Sequence, residues 1–256
     1  MTEDIRFEIE DDIAVITLNR PQKLNAVTPE MADAIVAAVT ECNDSDTIRC
    51  VIVTGVGERA FCAGSDIREL DTYETPWQFR NRPDYCDAIR ALLKPSIAAV
   101  NGYAFGGGLE TAMSCDIRLA SDNAQFAAPE IKLGWIGGGG MAVHLAHAVG
   151  PSNAALMIMT GDPISAERAL GWGLVSEVVS QAELMTRART LAKTIAARAP
   201  IAAETAKLNL KAAFSMPVEK AIEYERDLQT ICFATADATE GRAAFKEKRP
   251  PVFRRR

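Results

Sequence analysis

The stretch NGYAFGGGLETAMSCD (101–116) sets Gly106, Gly107 and Gly108 directly before an apolar residue and a carboxylate, Glu110. Consecutive glycines cost backbone entropy, so they mark a place where something must approach the main chain closely. The run follows the apolar segment SIAAV (96–100), and LETAMS beyond it has the length of two helical turns. A strand that enters a helix through glycines exposes unpaired N–H groups at the positive end of the helix dipole, where a carbonyl oxygen or an anion can lie. A second glycine turn, AFCAGSDI (60–67), follows the apolar segment CVIVTG (50–55). Its Gly64-Ser65 peptide could aim another N–H at the same oxygen, and two such donors would polarise one carbonyl.

Two acids stand out by position. Glu110 falls in the first turn of the expected helix, and Glu130 follows a proline in AAPEIKLG. Their plain readings are a dipole-compensating acid and a surface acid. Ser65 is not expected to be a nucleophile, since it lacks the G-x-S-x-G elbow. Gly55-Val56-Gly57-Glu58-Arg59-Ala60 fits G-x-G-x-x-A after a strand. The following FCAGSD makes a poor helix, and no acid ends a second strand about 20 residues on, so a dinucleotide fold is disfavoured. His144 and His147, at i and i+3, have no nearby acid or cysteine to complete a metal shell and read as helix-packed side chains.

Regular elements must hold these groups. IRFEI, Asp11-Asp12 and IAVITL read as strand, turn and strand, a hairpin. Thr28-Pro29-Glu30 supplies a cap, a first-position proline and an early acid, and Met31, Ile35, Ala38, Val39 and Cys42 keep helical spacing. Residues 66–94 read as an irregular loop leading into a helix. DIRLAS (116–121) is a further strand, Ser165 caps a helix, and LVSEVV is a late strand. From Gln181 to about Lys248 the pattern is helical, with Ala199-Pro200 as an interruption. A boundary is placed there, giving a core over 1–197 and a helical region over 198–256.

At 256 residues and 48% hydrophobic, the chain has material for one large core. A formal charge of −6 speaks against nucleic acid as the main partner, and the basic run KEKRPPVFRRR reads as a solvated tail. No stretch approaches the roughly 20 apolar residues of a membrane span, and the acidic start has no targeting character. A cytoplasmic location is expected. The six cysteines form no C-x-x-C pair and read as reduced core thiols, so the sequon Asn43-Asp44-Ser45 is expected to be inert.

LNRPQKLNAV, FCAGSDI, AAVNGYAFGGGLE, CDIRLAS and AQFAAPEIKLG, in this order and spacing, resemble the crotonase or enoyl-CoA hydratase/isomerase superfamily over essentially the whole chain. NGYAFGGG and VVSQAELM are similar in particular to its carnitinyl-CoA dehydratase branch. The resemblance implies an α/β fold, a spiral of repeated β-β-α units with C-terminal helices that build homotrimers, often paired into hexamers. It implies an acyl-coenzyme A thioester as substrate and no cofactor, coenzyme A being part of the substrate. Carried over, the donors to the thioester oxygen are the N–H groups of Ser65 and Gly107. Glu110 and Glu130 are the two catalytic carboxylates, which hold one water for syn addition across Cα=Cβ. Two carboxyls sharing a small site keep one proton between them. Coenzyme A is expected along Lys23, Leu24 and Ala26, with Ala63, Asp66 and Ile67 near the adenine and pantetheine. Phe245 and Lys248 reach the nucleotide, often from a neighbouring subunit. Trp135 and the 68–90 segment border the acyl group.

The chain departs from the pattern after the second glutamate. Where many relatives have P-G-x-G-G-T-Q-R, it reads GGGGMAVH (137–144). Gly138 matches the active-site glycine, at which a dehalogenase would carry an aspartate. An isomerase can work with the second glutamate alone, so the presence of Glu110 favours water chemistry. The expectation is an enoyl-CoA hydratase-type lyase. The alternatives are a carnitinyl-CoA dehydratase-like enzyme, a double-bond isomerase and, in another class, a non-catalytic or RNA-binding relative.

Overall fold

The computed structural model describes residues 3–256. Among these residues ten strands form two sheets. Strands β1 (Ile5–Glu10), β2 (Ile13–Leu18), β3 (Cys50–Gly55), β4 (Ala60–Cys62), β5 (Ser96–Val100), β6 (Tyr103–Phe105), β7 (Ile117–Ser121), β8 (Gln125–Ala127), β9 (Ile164–Ser165) and β10 (Glu177–Val179) follow one another along the chain. The six-stranded sheet has the order β1-β2-β3-β5-β7-β10 and the four-stranded sheet β4-β6-β8-β9. Among the described residues only the β1–β2 hairpin and the β8–β9 pair are antiparallel; the other ladders are parallel. The pairs β3/β4, β5/β6 and β7/β8 each give their first strand to the large sheet and their second to the small one. This is the repeating turn of a spiral.

Side-chain alternation along the central strands sends residues to two apolar layers. Ala14, Ile16, Val51, Val53, Ala98 and Val100 enter the main core, whereas Ile13, Val15, Cys50, Ile52, Ile97 and Ala99 face a second layer. Helix α1 (Pro29–Asp44) begins at Thr28, whose hydroxyl accepts from the Met31 N–H, and buries Met31, Ile35, Ala38, Val39 and Cys42 in the main core. The 66–94 segment holds three short helices, α2 (Ile67–Leu70), α3 (Pro76–Arg80) and α4 (Tyr85–Arg90), so it is more regular than its sequence predicts. Helices α5 (Gly107–Ser114), α6 (Met141–Val149), α7 (Pro151–Thr160) and α8 (Ala166–Gly171) follow. Helix α9 (Leu184–Ala196) covers the second layer with a stripe at every fourth residue, Leu184, Ala188, Ala192 and Ala196.

Helices α10 (Pro200–Ala213), α11 (Val218–Phe233) and α12 (Ala236–Glu247) complete the chain's regular structure. Helix α10 is tied to the core by charge. Lys207, 5% exposed, donates to Asp116 at 2.8 Å and to the Lys94 carbonyl at 3.0 Å, and the fully buried Lys94 pairs with Glu204 at 2.9 Å. The basic run expected as a solvated tail is instead held against the protein. Buried Asp237 accepts the Arg254 and Arg255 N–H groups, Arg49 donates to the Phe253 carbonyl, and Arg255 pairs with Glu204. Arg249 pairs with Glu240 and Glu247 and Arg255 with Glu204 and Asp46, while most of the run's side chains stay exposed. Among the described residues no helix is long and apolar enough to cross a membrane.

Candidate active site

The two glycine turns meet. Gly64 ends the turn after β4, and a Cβ built on it would come 3.1 Å from the Gly107 nitrogen. Among the described residues, neither the Ser65 nor the Gly107 N–H donates to another group of the chain. Gly107 owes this to its place at the first position of α5, where no preceding carbonyl is available. Ser65 owes it to a parallel bridge with Val27, in which the Gly64 carbonyl and the Asp66 N–H make the bonds and the N–H of Ser65 faces away.

The three glycines make room for three different groups of the chain itself. Gly106 has φ 55°, ψ −126°, and a Cβ there would lie 2.7 Å from Glu130 Oε1. At Gly107 a Cβ would meet the Tyr85 hydroxyl at 2.0 Å, and at Gly108 the Cys62 carbonyl at 2.0 Å. The sequence predicts only that something approaches closely; it does not say that side chains from β8's neighbouring turn and from α4 do so.

Glu110, one turn into α5, is 5% exposed. Its Oε1 accepts from the Gly139 N–H at 2.7 Å and the Met141 N–H at 3.0 Å. Burial pushes its carboxyl up to about 7; the Glu130 charge adds to the rise and the two N–H groups offset part of it. Glu130 lies in a short 3-10 turn, Pro129–Leu133, directly after β8. Its carboxyl is also raised by burial, and its Oε2 is buried without a hydrogen-bond partner among the described residues. Such an oxygen costs about 1–3 kcal/mol until a water or a ligand bonds it. The arrangement therefore holds one carboxylate fixed by backbone donors and another with a free acceptor, beside two unpaired N–H groups.

The other predicted residues divide into groups. Ala63 N–H donates to the Leu24 carbonyl at 3.0 Å, Val27 N–H to Gly64 and Asp66 N–H to Val27, so Lys23, Leu24 and Ala26 run beside Ala63, Asp66 and Ile67. Arg20 braces the pair of segments, donating to Asp66 at 2.8 Å and to the Ala26 carbonyl. Trp135 is 40% exposed, and its N–H donates to the Glu130 carbonyl. In the glycine run, Gly137 and Gly139 flank Glu110, and a Cβ on either would press its carboxylate at 2.8 or 2.9 Å; Gly138 between them is exposed with open space beside it. Phe245, 85% exposed, and Lys248 lie at the end of α12 and make no hydrogen bond or ion pair to these segments. Sequence reasoning missed Tyr85, Cys86 and the N–H donors of Gly139 and Met141. The GGGG run was the available signal for the last two.

The G-x-G-x-x-A segment and the histidine pair each have a local structural setting. Gly55-Val56-Gly57 leads into strand β4 rather than a helix. His147 stacks on Phe214 with ring centroids 4.7 Å apart, and no group of three or more metal-ligating side chains occurs among the described residues.

Residues 8–256 match the family model described as Enoyl-CoA hydratase/isomerase. The chain belongs to this family. Among curated relatives of this family it is 41% identical over 257 residues to the "Probable enoyl-CoA hydratase" of Mycobacterium tuberculosis, covering 99% of each chain. It is 37% identical to the crotonyl-CoA hydratase of Syntrophomonas wolfei, with 98% of each covered, and 39% identical to the carnitinyl-CoA dehydratase of Salmonella paratyphi A over the full length of both. The crystal structure of the enoyl-CoA hydratase from Bacillus anthracis superposes with a TM-score of 0.95 at 32% identity, covering 99% of this chain and all of the other. The fold is thus the family's α/β spiral with C-terminal helices.

Proposed function

We propose that the chain is an enoyl-CoA hydratase-type lyase that adds water to, and removes it from, the Cα=Cβ bond of an acyl-CoA thioester. The observation that carries this reading is the asymmetric carboxylate pair beside two unpaired N–H groups. The Ser65 and Gly107 N–H groups would bind the thioester oxygen, each worth about 3 kcal/mol as negative charge develops there. Glu110, pinned through Oε1, orients the water with its remaining oxygen. Glu130, with Oε2 free of internal partners, suits delivery of the proton to Cα. The water oxygen forms the Cβ–O bond as the π pair moves to the thioester oxygen. The enolate then returns that pair to take a proton at Cα, and the water's own proton restores the carboxyl pair. No group beyond the substrate's coenzyme A is needed for this chemistry.

In the same reading, coenzyme A lies along 23–26 and 63–67, and Trp135 and Gly138 border the acyl group. The spiral core is 1–197 and the assembly region 198–256. Helix α11 buries only Leu228 while Ile231 and Phe233 stand more than half exposed, as does Phe214 directly after α10. Such a face suits a homotrimer or hexamer, in which Phe245 and Lys248 could serve a neighbour's nucleotide site. Glu110→Gln and Glu130→Gln should each lower hydration of a short enoyl-CoA by at least about a hundredfold. Unchanged turnover in both would remove the mechanism. Running the same assay over crotonobetainyl-CoA and straight-chain thioesters identifies the acyl group.

A further inference from the structure

The hydroxyl of Tyr85 touches both loops that carry the unpaired N–H groups. Tyr85 opens α4, whose N-cap Asp84 accepts from the Cys86 and Asp87 N–H groups and so fixes where the ring starts. The side chain is driven inward, 7% exposed, and its oxygen lies 3.1 Å from Ser65 Oγ. That same oxygen occupies the space a Cβ on Gly107 would need, 2.0 Å from it, and the Gly64 Cα lies 3.5 Å from the same point. One atom therefore packs against both the Ser65 side chain and the first residue of α5, and so helps set the placement of two peptides whose separation decides whether both can reach one oxygen.

A proton count adds a second, independent observation. The Tyr85 and Ser65 hydroxyls bring two hydrogens and share one hydrogen bond. Neither makes another hydrogen bond among the described residues, so one hydroxyl hydrogen of the pair has no acceptor inside the chain. Tyr85 is buried and Ser65 half-buried, so a polar atom entering the cleft can supply the acceptor this hydrogen lacks within the chain. Burial raises the Tyr85 hydroxyl well above its ordinary range, so it keeps its proton throughout the working pH range.

We propose that Tyr85 is a positioning residue for thioester polarisation: its hydroxyl helps set the placement of the Ser65 and Gly107 peptides, and its bond to Ser65 Oγ leaves the pair one hydrogen for the oxygen held between them. This rests on the reading of Ser65 and Gly107 as the two donors. The thioester oxygen then meets two N–H groups and one O–H, and an acyl-CoA that cannot bring its carbonyl to this point gains nothing from the pair.

The test uses the full chain with a chromophoric cinnamoyl-CoA thioester, whose absorption moves to longer wavelength when its carbonyl is polarised. Tyr85→Phe keeps the ring and removes the hydroxyl. The expected result is a smaller red shift on binding and a kcat for a short enoyl-CoA lower by about tenfold, the scale of one lost hydrogen bond. KM should stay within about twofold, since the loss falls on the transition state. Ser65→Ala, which cuts the same bond from its other end, should fall to a similar level, and the double variant should be no slower than the slower single. A full red shift and wild-type kcat in Tyr85→Phe overturn the inference. So does a kcat loss that multiplies in the double variant and follows a lowered thermal midpoint. If the wild-type protein itself produces no red shift, the underlying donor assignment fails instead.

Discussion

Glu110 illustrates how a buried carboxyl is held at a cost to stability. The folded chain keeps its proton up to about pH 7, whereas a solvated glutamate loses it near 4.5. Between those values the folded state binds more protons than the unfolded state, so stability falls as pH rises, and the loss is complete above about 7. Glu110→Gln keeps a carbonyl oxygen for the Gly139 and Met141 N–H groups and cannot ionise. Below pH 4.5 the variant should match the wild type, and at pH 8 it should be the more stable by on the order of 3 kcal/mol. Denaturant titrations at the two pH values check this; an equal difference at both contradicts the burial account. At this scale the sequence was informative about residue types and silent about neighbours. Glu110 and Glu130 could be named from the resemblance, but the occupants of the space beside Gly106, Gly107 and Gly108 come from residues far along the chain. Tyr85 reads in sequence as one more aromatic in a polar loop, and only its approach to Gly107 reveals a different role.

At the scale of elements, α4 and α10 do what their sequences do not announce. Six residues long, α4 sends Tyr85 toward Ser65 and Gly107, Cys86 Sγ toward the Gly107 carbonyl and Arg90 to the Gly139 carbonyl, in the peptide between the two whose N–H groups bind Glu110. Its irregular flanks hid it: no apolar period develops over so short a helix, and its N-cap at Asp84 is one polar residue among many. The strands of the larger sheet, by contrast, were legible, because β2, β3 and β5 are buried on both faces and read as continuous apolar runs, whereas the two- and three-residue strands of the smaller sheet are too short to show a pattern. Helix α10 looked like one more amphipathic segment, yet its Lys207 enters the protein to meet Asp116. Lys207→Met retains the stem's packing and removes the charge, leaving Asp116 with only the Ser96 donors. Breaking a buried pair from one side costs about 3 kcal/mol or more. The thermal midpoint should therefore fall by roughly 6–12 °C. An unchanged midpoint would mean that the pair is not what fastens α10 to the core.

For the whole molecule, the decisive feature is the division of successive strands between two sheets. It brings the ends of β4, β6 and β8 side by side in the smaller sheet, so the turns that follow them carry Ser65, Gly107 and Glu130 to one place. The sequence shows two strand-then-glycine units, but the parallel pairing that gathers them with the turn after β8 is non-local and carries no pattern of its own. The basic run was misread for the same reason, since Asp237, Glu204 and Arg49, its partners, lie at a distance in sequence. The central claim is that these three turns form one thioester site. Its most direct test is the crystal structure of the protein with a bound acyl-CoA. The account predicts the thioester oxygen within about 3 Å of both the Ser65 and Gly107 nitrogens, the ordinary hydrogen-bond distance, with Glu110 and Glu130 facing Cα and Cβ. A thioester bound elsewhere, or an oxygen touching neither nitrogen, would contradict it.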